Sequence, residues 1–351
     1  MFKHVSIGIL AWNEEPSIAR TVRSLFAQSL FTNSPESLDS IEVLCVPNGC
    51  TDRTGEVVTQ TLAEEASRIP AAPLHWAVHT LEKPSKANAW NHFVHEFSNP
   101  QADCLILLDA DVVFHGEHSL SALVKALAGR PDVAVTTPCL IKDIAFKRNP
   151  SAKERLSLAV TRLHQKSPAR MPGGLYCARS EALRRVRMPS DLLVEDGFLR
   201  AMIVTDGFRQ PENLAAVMRV DESVAVFEAY TGLRILLRHE KRIIIGGAIN
   251  TMLFGELAAL PPEVDRADWV RDRDTHEPGW VNRLVADRVR RGKWWLLSSA
   301  ATFRRFRQLR HVPPARRLLW LPLVAGAFVV EFPVFLAANA QLRRGAIEGA
   351  W

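Results

Sequence analysis

Leu105-Ile106-Leu107-Leu108-Asp109-Ala110-Asp111 is the stretch on which the fold and the chemistry of the chain turn. Four apolar residues in a row suit a fully buried strand and are too few for a helix, and the run stops at two carboxylates one residue apart. A buried parallel strand delivers its last residues and the turn after them to the carboxyl edge of its sheet, where open α/β proteins bind ligands. Two aspartates in the turn leaving such a strand can converge on one hard cation. Mg²⁺ is commonly held by one or two carboxylates together with substrate phosphates. The competing reading makes Asp109 and Asp111 turn and cap residues, which Asp favours for local hydrogen bonding.

Working outward, the first half alternates strand and helix with short connections. Val5–Leu10 reads as a strand. Pro16–Gln28 has Ile18, Val22, Leu25 and Phe26 on one helical face, with Pro16 suited to the first turn. Ile41–Val46 is a second strand, and a turn through Pro47-Asn48-Gly49-Cys50-Thr51-Asp52 leads to a helix from Thr54 to Ser67 with Asp52 suited to cap it. A strand at 74–79, a helix over 86–97, the central strand, a helix at 119–128 and a strand at 133–137 complete the pattern. The expected class is therefore α/β, a mostly parallel sheet with helices on its faces. Later come a helix at 152–165, the loop Met171-Pro172-Gly173-Gly174, a short strand at 175–178 and a helix opening at Val194-Glu195-Asp196. Carboxylates are electrostatically comfortable at a helix N-terminus, so Glu195 and Asp196 also have a plain capping explanation.

Charge is unevenly placed along the 351 residues. The net charge is +6, yet Arg283–Arg317 holds eleven Lys or Arg against Asp287 alone, a local balance of +10 that leaves −4 elsewhere. Such asymmetry points to an anionic partner for the C-terminal part. The five cysteines are odd in number and form no CxxC pair, which fits reduced thiols in a cytosolic protein, and no histidine makes a zinc spacing with them. The N-terminus enters a strand pattern with no apolar signal segment.

Several motifs, in order over about residues 3–250, resemble the family 2 glycosyltransferases of the GT-A fold. Ala11-Trp12-Asn13-Glu14 is similar to the first-strand Asn-Glu element, whose carboxylate meets the nucleotide. Asn48-Gly49-Cys50-Thr51-Asp52 is similar to the Asp-Asp-Gly-Ser-Thr-Asp turn, with Pro47 and Asn48 in place of its leading aspartates. Asn donates as well as accepts, which bears on nucleobase choice, uracil being expected. Lys86-Ala87-Asn88-Ala89-Trp90-Asn91 resembles Gly-Lys-Ala-x-Ala-Leu-Asn. Asp109-Ala110-Asp111 resembles the DxD signature, Leu192–Asp196 through Arg200 and Asp206-Gly207-Phe208-Arg209 resembles the Glu-Asp stretch, and His239–Ile243 stands where QxxRW is found, retaining Arg242.

The resemblance implies a GT-A type sheet and an inverting transfer from a nucleotide-diphosphate sugar, with Mg²⁺ or Mn²⁺. It implies ribose or metal contact for Asp109, metal coordination for Asp111, diphosphate contact for Arg242 and a general base at Asp196 beside Glu195. Ala11, Asn13, Glu14, Asn48, Lys86 and Ala110 are expected to line the nucleotide site. The expected domains are a catalytic unit over 1–260, with a nucleotide-binding half to about 140, and a basic, apolar helical region over 261–351. A boundary is expected at Leu260-Pro261-Pro262-Glu263.

In that C-terminal region, aromatics and arginines interleave from Trp294 to Arg310 as on a basic amphipathic helix at an anionic membrane surface. Leu318–Ala338 is long enough to span a bilayer but is broken by Pro322, Glu331 and Pro333, which favours monotopic or re-entrant association through about 290–345. A helical subdomain packed on the core is the alternative. The expected acceptor is a lipid-linked intermediate or surface glycan, met at the inner face of the membrane, and no nucleic-acid motif is present. Two rival functions are a sugar-phosphate nucleotidyltransferase, which wants a Gly-rich loop after strand one where Ala11–Glu15 has none, and a non-catalytic nucleotide- or membrane-binding scaffold.

Overall fold

A computed structural model describes residues 2–32, 38–69, 74–151, 154–155, 158, 169–229, 232–292, 294–309 and 314–345. The expected helix at 152–165 lies almost wholly outside the described residues.

Eight strands form one mixed sheet in the order β3-β2-β1-β4-β7-β6-β8-β5. They are β1 (His4–Ala11), β2 (Ser40–Pro47), β3 (Leu74–Val78), β4 (Cys104–Asp109), β5 (Val113–His115), β6 (Val135–Lys142), β7 (Leu175–Arg179) and β8 (Val217–Phe227). β3, β2, β1 and β4 run parallel, β7 is antiparallel to both β4 and β6, and β8 runs parallel to β6. The apolar run of β4 is fully buried because helices cover both faces of the sheet. The architecture is the expected GT-A type.

The helices that matter for the site are α1 (Ile18–Phe26), α2 (Thr54–Ala66), α3 (Lys86–His92), α4 (Ser119–Ala128), α5 (Glu195–Val204), α6 (Leu233–Ala258), α7 (Arg266–His276), α8 (Trp280–Arg290) and α9 (Pro314–Arg343). The expected 86–97 helix is found as α3 followed by a wider π turn, Phe93–Phe97. Two strands, the short β5 and the long β8, had no counterpart in the sequence pattern. β8 carries Asp221-Glu222 in its middle, which breaks the apolar pattern, and there its register against β6 slips between Pro138 and Cys139. That irregularity also explains why β6 continues past Pro138 to Lys142, since proline is accommodated at bulges.

The C-terminal chain shares the core of the catalytic part. Val281 and Val285 of α8, and Phe335, Ala338 and Leu342 of α9, are buried in the same cluster as Ile245 and Leu253 of α6 and Phe198 of α5. Among the described residues of 294–310, the single basic amphipathic helix expected there is not formed. Two short helices, Ser299–Thr302 and Arg304–Gln308, stand there instead, interrupted at Phe303. Glu331 is ion-paired with Arg305, which removes the burden of an isolated carboxylate on α9. No single described helix is long and apolar enough to cross a membrane. The segments 316–329 and 331–343, bent by 41°, meet that requirement only together.

Candidate active site

Four pieces of chain meet at the carboxyl edge of β1 and β4. The end of β1 turns sharply at Asn13, whose backbone is left-handed (φ 54°), a conformation Asn tolerates better than most residues. Asn13 Oδ1 accepts from the Thr51 amide at 2.8 Å, tying this turn to the one after β2. Asn48 lies below them, buried, with Nδ2 donating to the Ala11 carbonyl at 2.8 Å and Oδ1 accepting from the Ser85 amide at 3.1 Å. Its amide is thus engaged within the protein, joining β1, β2 and the start of α3. Ala11 and Ala110 are buried backbone positions, and the Ala110 carbonyl accepts from the Thr21 hydroxyl at 2.7 Å. The N-cap of α2 is Arg53, and Asp52, one residue earlier, braces the helix start from outside: Oδ1 accepts from the Thr54 amide at 3.0 Å and Oδ2 from the Glu15 amide at 3.1 Å.

Lys86 is the centre of the site. Its Nζ stands 2.7 Å from Asp109 Oδ1 and 2.8 Å from Glu195 Oε1, so one ammonium bridges the end of β4 and the start of α5. Burial works against its charge, but the two carboxylates outweigh burial and hold its pKa above the usual lysine range. A solvated Lys86 is therefore ruled out by its partners. Asp109 is pushed up to about 6, chiefly by burial, with Lys86 opposing and the like charge of Asp111 adding to the rise. Glu195 feels burial too, yet Lys86 holds it below its ordinary value. Asp196 is raised, by burial and then by Glu195. Neighbouring carboxylates thus have their pKa values driven apart, the arrangement that separates a base from a charge partner. Glu14 is also raised by burial, despite its hydrogen bond from Ser17, and it senses Asp111 across the cleft.

The acid pair is positioned from behind by α6. Arg242 donates through Nε and a terminal nitrogen to the Leu193 carbonyl, both at 3.3 Å, and Asn250 Nδ2 donates to the Val194 carbonyl at 3.0 Å. Two successive carbonyls entering α5 are thereby held by one helix. Gly246, one turn from each, lets α6 approach so closely that a Cβ would overlap Val194. Arg242 is consequently placed against the backbone of the acid-pair loop, with its charge bearing on Glu195. The sequence reading missed Asn250 and Gly246, because polar and glycine positions inside a helical pattern carry no sign of what they face.

The Gly173-Gly174 loop closes the cleft. The Asp109 amide donates to the Gly174 carbonyl at 2.8 Å, and a Cβ on Gly173 would come within 3.3 Å of Glu195 Oε1 and 3.4 Å of Asp196 Cβ. Beneath it, Trp90 Nε1 donates to the Tyr176 hydroxyl at 2.6 Å, giving Lys86 and the acids a firm floor. Lys86, Asp109, Gly173, Tyr176, Glu195 and Asp196 line one pocket.

Residues 6–187, more than half of the chain, match the family described as Glycosyl transferase family 2. The chain belongs to that family. Among solved structures, this glycosyltransferase is similar to "Mannosyltransferase PcManGT from Pyrobaculum calidifontis in complex with GDP-Man and Mn2+", at 16% identity and a TM-score of 0.53, covering 99% of this chain and 87% of that one. It is also similar to glucosyl-3-phosphoglycerate synthase from Mycobacterium tuberculosis in complex with Mg²⁺ and uridine-diphosphate, at 15% identity and a TM-score of 0.44, covering 74% of this chain and 80% of that one. A search among curated proteins finds no match. The first likeness bears out the GT-A type fold.

Proposed function

We propose that this family 2 glycosyltransferase moves a sugar from a nucleoside-diphosphate donor, UDP-sugar favoured, to an acceptor hydroxyl with inversion. The observation that carries this reading is the three-way contact of Lys86 with Asp109 and Glu195 beside the raised Asp196. It sets a donor-side carboxylate, a cation and a base within one cleft.

The residues suit a divalent cation. Among the described residues no three His, Cys, Asp or Glu side chains converge as a self-sufficient metal cage. That agrees with a metal held by one or two carboxylates and completed by phosphates and water. Asp111 makes no ion pair among the described residues, and its charge raises both Asp109 and Glu14, a crowding that a hard cation at Asp111 and Asp109 relieves. When bound, the cation supplies charge neutralisation to the diphosphate leaving group. Lys86 orients Asp109 and Glu195 and adds positive charge on the donor side. Asp196, kept basic by burial and by Glu195, takes the acceptor proton as the hydroxyl attacks the anomeric carbon and the bond to the diphosphate breaks. Metal-dependent uptake of one nucleoside diphosphate is the expected result of a calorimetric titration; no uptake with metal present overturns the reading.

The acceptor side of the proposal is a lipid-linked or cell-surface glycan, met at the cytosolic face of a membrane. Leu318 and Leu319 on α9 are 82% and 79% exposed, beside Trp320 and Leu321 and directly after Arg316-Arg317. Apolar residues behind a basic pair suit an anionic lipid surface. Flotation with vesicles containing anionic lipid is expected to carry the full chain upward, and the double substitution Leu319→Glu, Trp320→Glu to leave it in the soluble fraction. Equal flotation of both proteins removes this surface from the proposal.

A further inference from the structure

Residues 186–194, which lead to the acid pair, form no helix or strand, so side-chain hydrogen bonds must set their path. One set comes from α3. Asn91, buried, holds the Met188 backbone through both amide atoms: Nδ2 donates to the carbonyl at 2.8 Å and Oδ1 accepts from the N–H at 3.0 Å. Further on, the Ser190 carbonyl accepts from the Ser85 hydroxyl. Ser85 is the N-cap of α3, with Oγ accepting from the Asn88 amide at 3.1 Å. Lys83 adds an ion pair to Asp191 at 2.6 Å. The Ser85–Ser190 bond therefore sits immediately before Lys86 on one segment and shortly before Glu195 on the other. It joins the same two segments as the Lys86–Glu195 contact.

Ser190 is held from its other side by the C-terminal region. Asp274 of α7 accepts twice through Oδ2, from the Ser190 amide at 2.9 Å and the Ser190 hydroxyl at 2.7 Å. Its Oδ1 accepts from Trp280 Nε1 at 2.8 Å. Hydrogen bonds to an ionised carboxylate are roughly twice as strong as neutral ones. The Trp280 indole that orients the carboxylate is buried and stands edge-to-face with Trp269 at 5.5 Å, and the Arg273 guanidinium lies 4.7 Å and 5.6 Å from the Trp269 and Trp280 ring centres. The start of α7 is fixed as well. Arg266, buried, donates to the carbonyls of Leu260, Pro261, Pro262 and Val264 at 2.6 to 3.2 Å. The stretch expected to separate two domains is thus wound around one guanidinium.

We propose that Asp274 is a positioning residue for the cleft: through Ser190 and Ser85 it sets Lys86 against Glu195, and the catalytic unit accordingly runs on past residue 260 through α8. Asp274 touches none of the reacting groups. It fixes the relative place of two segments whose own contact is a single long lysine side chain, and a site that is loose by about 1 Å loses much of its function. This inference rests on the glycosyltransferase reading of the cleft.

The test uses the full chain. Binding of UDP, GDP and CDP with Mn²⁺ is measured calorimetrically for wild type, Asp274→Ala and Val285→Ala, and thermal unfolding for each of these alone and combined with Lys86→Met. Val285 is buried on α8, and its truncation loosens the same region without touching the hydrogen bonds. Asp274→Ala is expected to weaken nucleotide binding about tenfold, because Lys86 and its partner Asp109 lose their setting. Val285→Ala is expected to lower the melting temperature with nucleotide affinity unchanged. The melting-temperature loss from Lys86→Met is expected to shrink in the Asp274→Ala background and to persist in full in the Val285→Ala background, since members of one network couple and independent sites add. Should Asp274→Ala not fold, Asp274→Asn takes its place with the same expectations: three donors meet the carboxylate, so the amide nitrogen must face one of them. Nucleotide affinity indifferent to the Asp274 variant, or melting-temperature losses that simply add, overturns the inference and leaves the donor reading standing. Failure of the wild type to bind any of the three nucleotides overturns the donor reading and this inference with it.

Discussion

Asp196→Asn is expected to lower kcat by about 10²–10⁴ with little change in nucleoside diphosphate affinity. The amide keeps the size of the side chain and its place in the first turn of α5 but removes its basicity. Burial and the neighbouring Glu195 hold the Asp196 pKa above the ordinary aspartate range, which suits proton abstraction near neutrality. Below its folded-state pKa, Asp196 is protonated and loses its basic function. The acid limb of kcat therefore lies above the usual carboxylate range and is absent from the residual rate of the variant. Donor binding is made by other residues and stays. Equal losses of turnover and nucleotide affinity are the result that would make Asp196 a structural carboxylate.

Lys86→Met is expected to be the most destabilising single change at the site, by about 3–5 kcal/mol, the cost of removing one member of a buried ion pair. That is a large share of the roughly 5–15 kcal/mol by which domains are stable. Methionine fills much of the space of the lysine stem, so the loss reflects charge more than volume. Without Lys86, Asp109 and Glu195 remain in a half-buried cleft with Asp111 and Asp196 near them. The folded-state pKa of Asp109 then rises further above its unfolded value, and Glu195 loses the partner that holds it below its own. A raised carboxyl is destabilising where it must ionise, and the penalty disappears as pH falls through the folded pKa. The deficit of Lys86→Met against wild type therefore grows as pH rises above about 6, where Asp109 of the wild type ionises, and narrows on acidification. Thermal unfolding at two pH values measures it. A melting temperature equal to wild type at neutral pH contradicts the central place given to Lys86.

Much of this was legible in the chain itself because periodicity and position carried it. The buried run of β4 ends at Asp109 where the apolar residues end, α4 occupies the expected residues, and α5 starts at Glu195. The roles of Lys86 and Asn48 were not fixed by pattern. A lysine at a helix start reads as solvated or functional until its partners are placed, and here they come from distant β4 and α5. Asn48 stood in a turn similar to a nucleotide-contacting one, yet its polar atoms link three segments of the sheet edge. Arg242, expected at the diphosphate, is found donating to Leu193, a contact set by how closely α6 approaches at Gly246. β8 stayed hidden because its bulge places two acids inside a strand. In the C-terminal region composition showed the uneven charge but not the shape, since Glu331 finds Arg305 only once α9 has packed back.

The central claim, a metal-assisted nucleoside-diphosphate site at the ends of β1 and β4, is tested most directly by calorimetric titration of UDP, GDP and CDP, with and without Mn²⁺, into wild type and Asp111→Asn. One nucleotide is expected to bind in a Mn²⁺-dependent manner, and Asp111→Asn to weaken that binding by removing a metal ligand. Failure of all three nucleotides to bind wild type in the presence of Mn²⁺, or binding that ignores both the metal and Asp111, would contradict it.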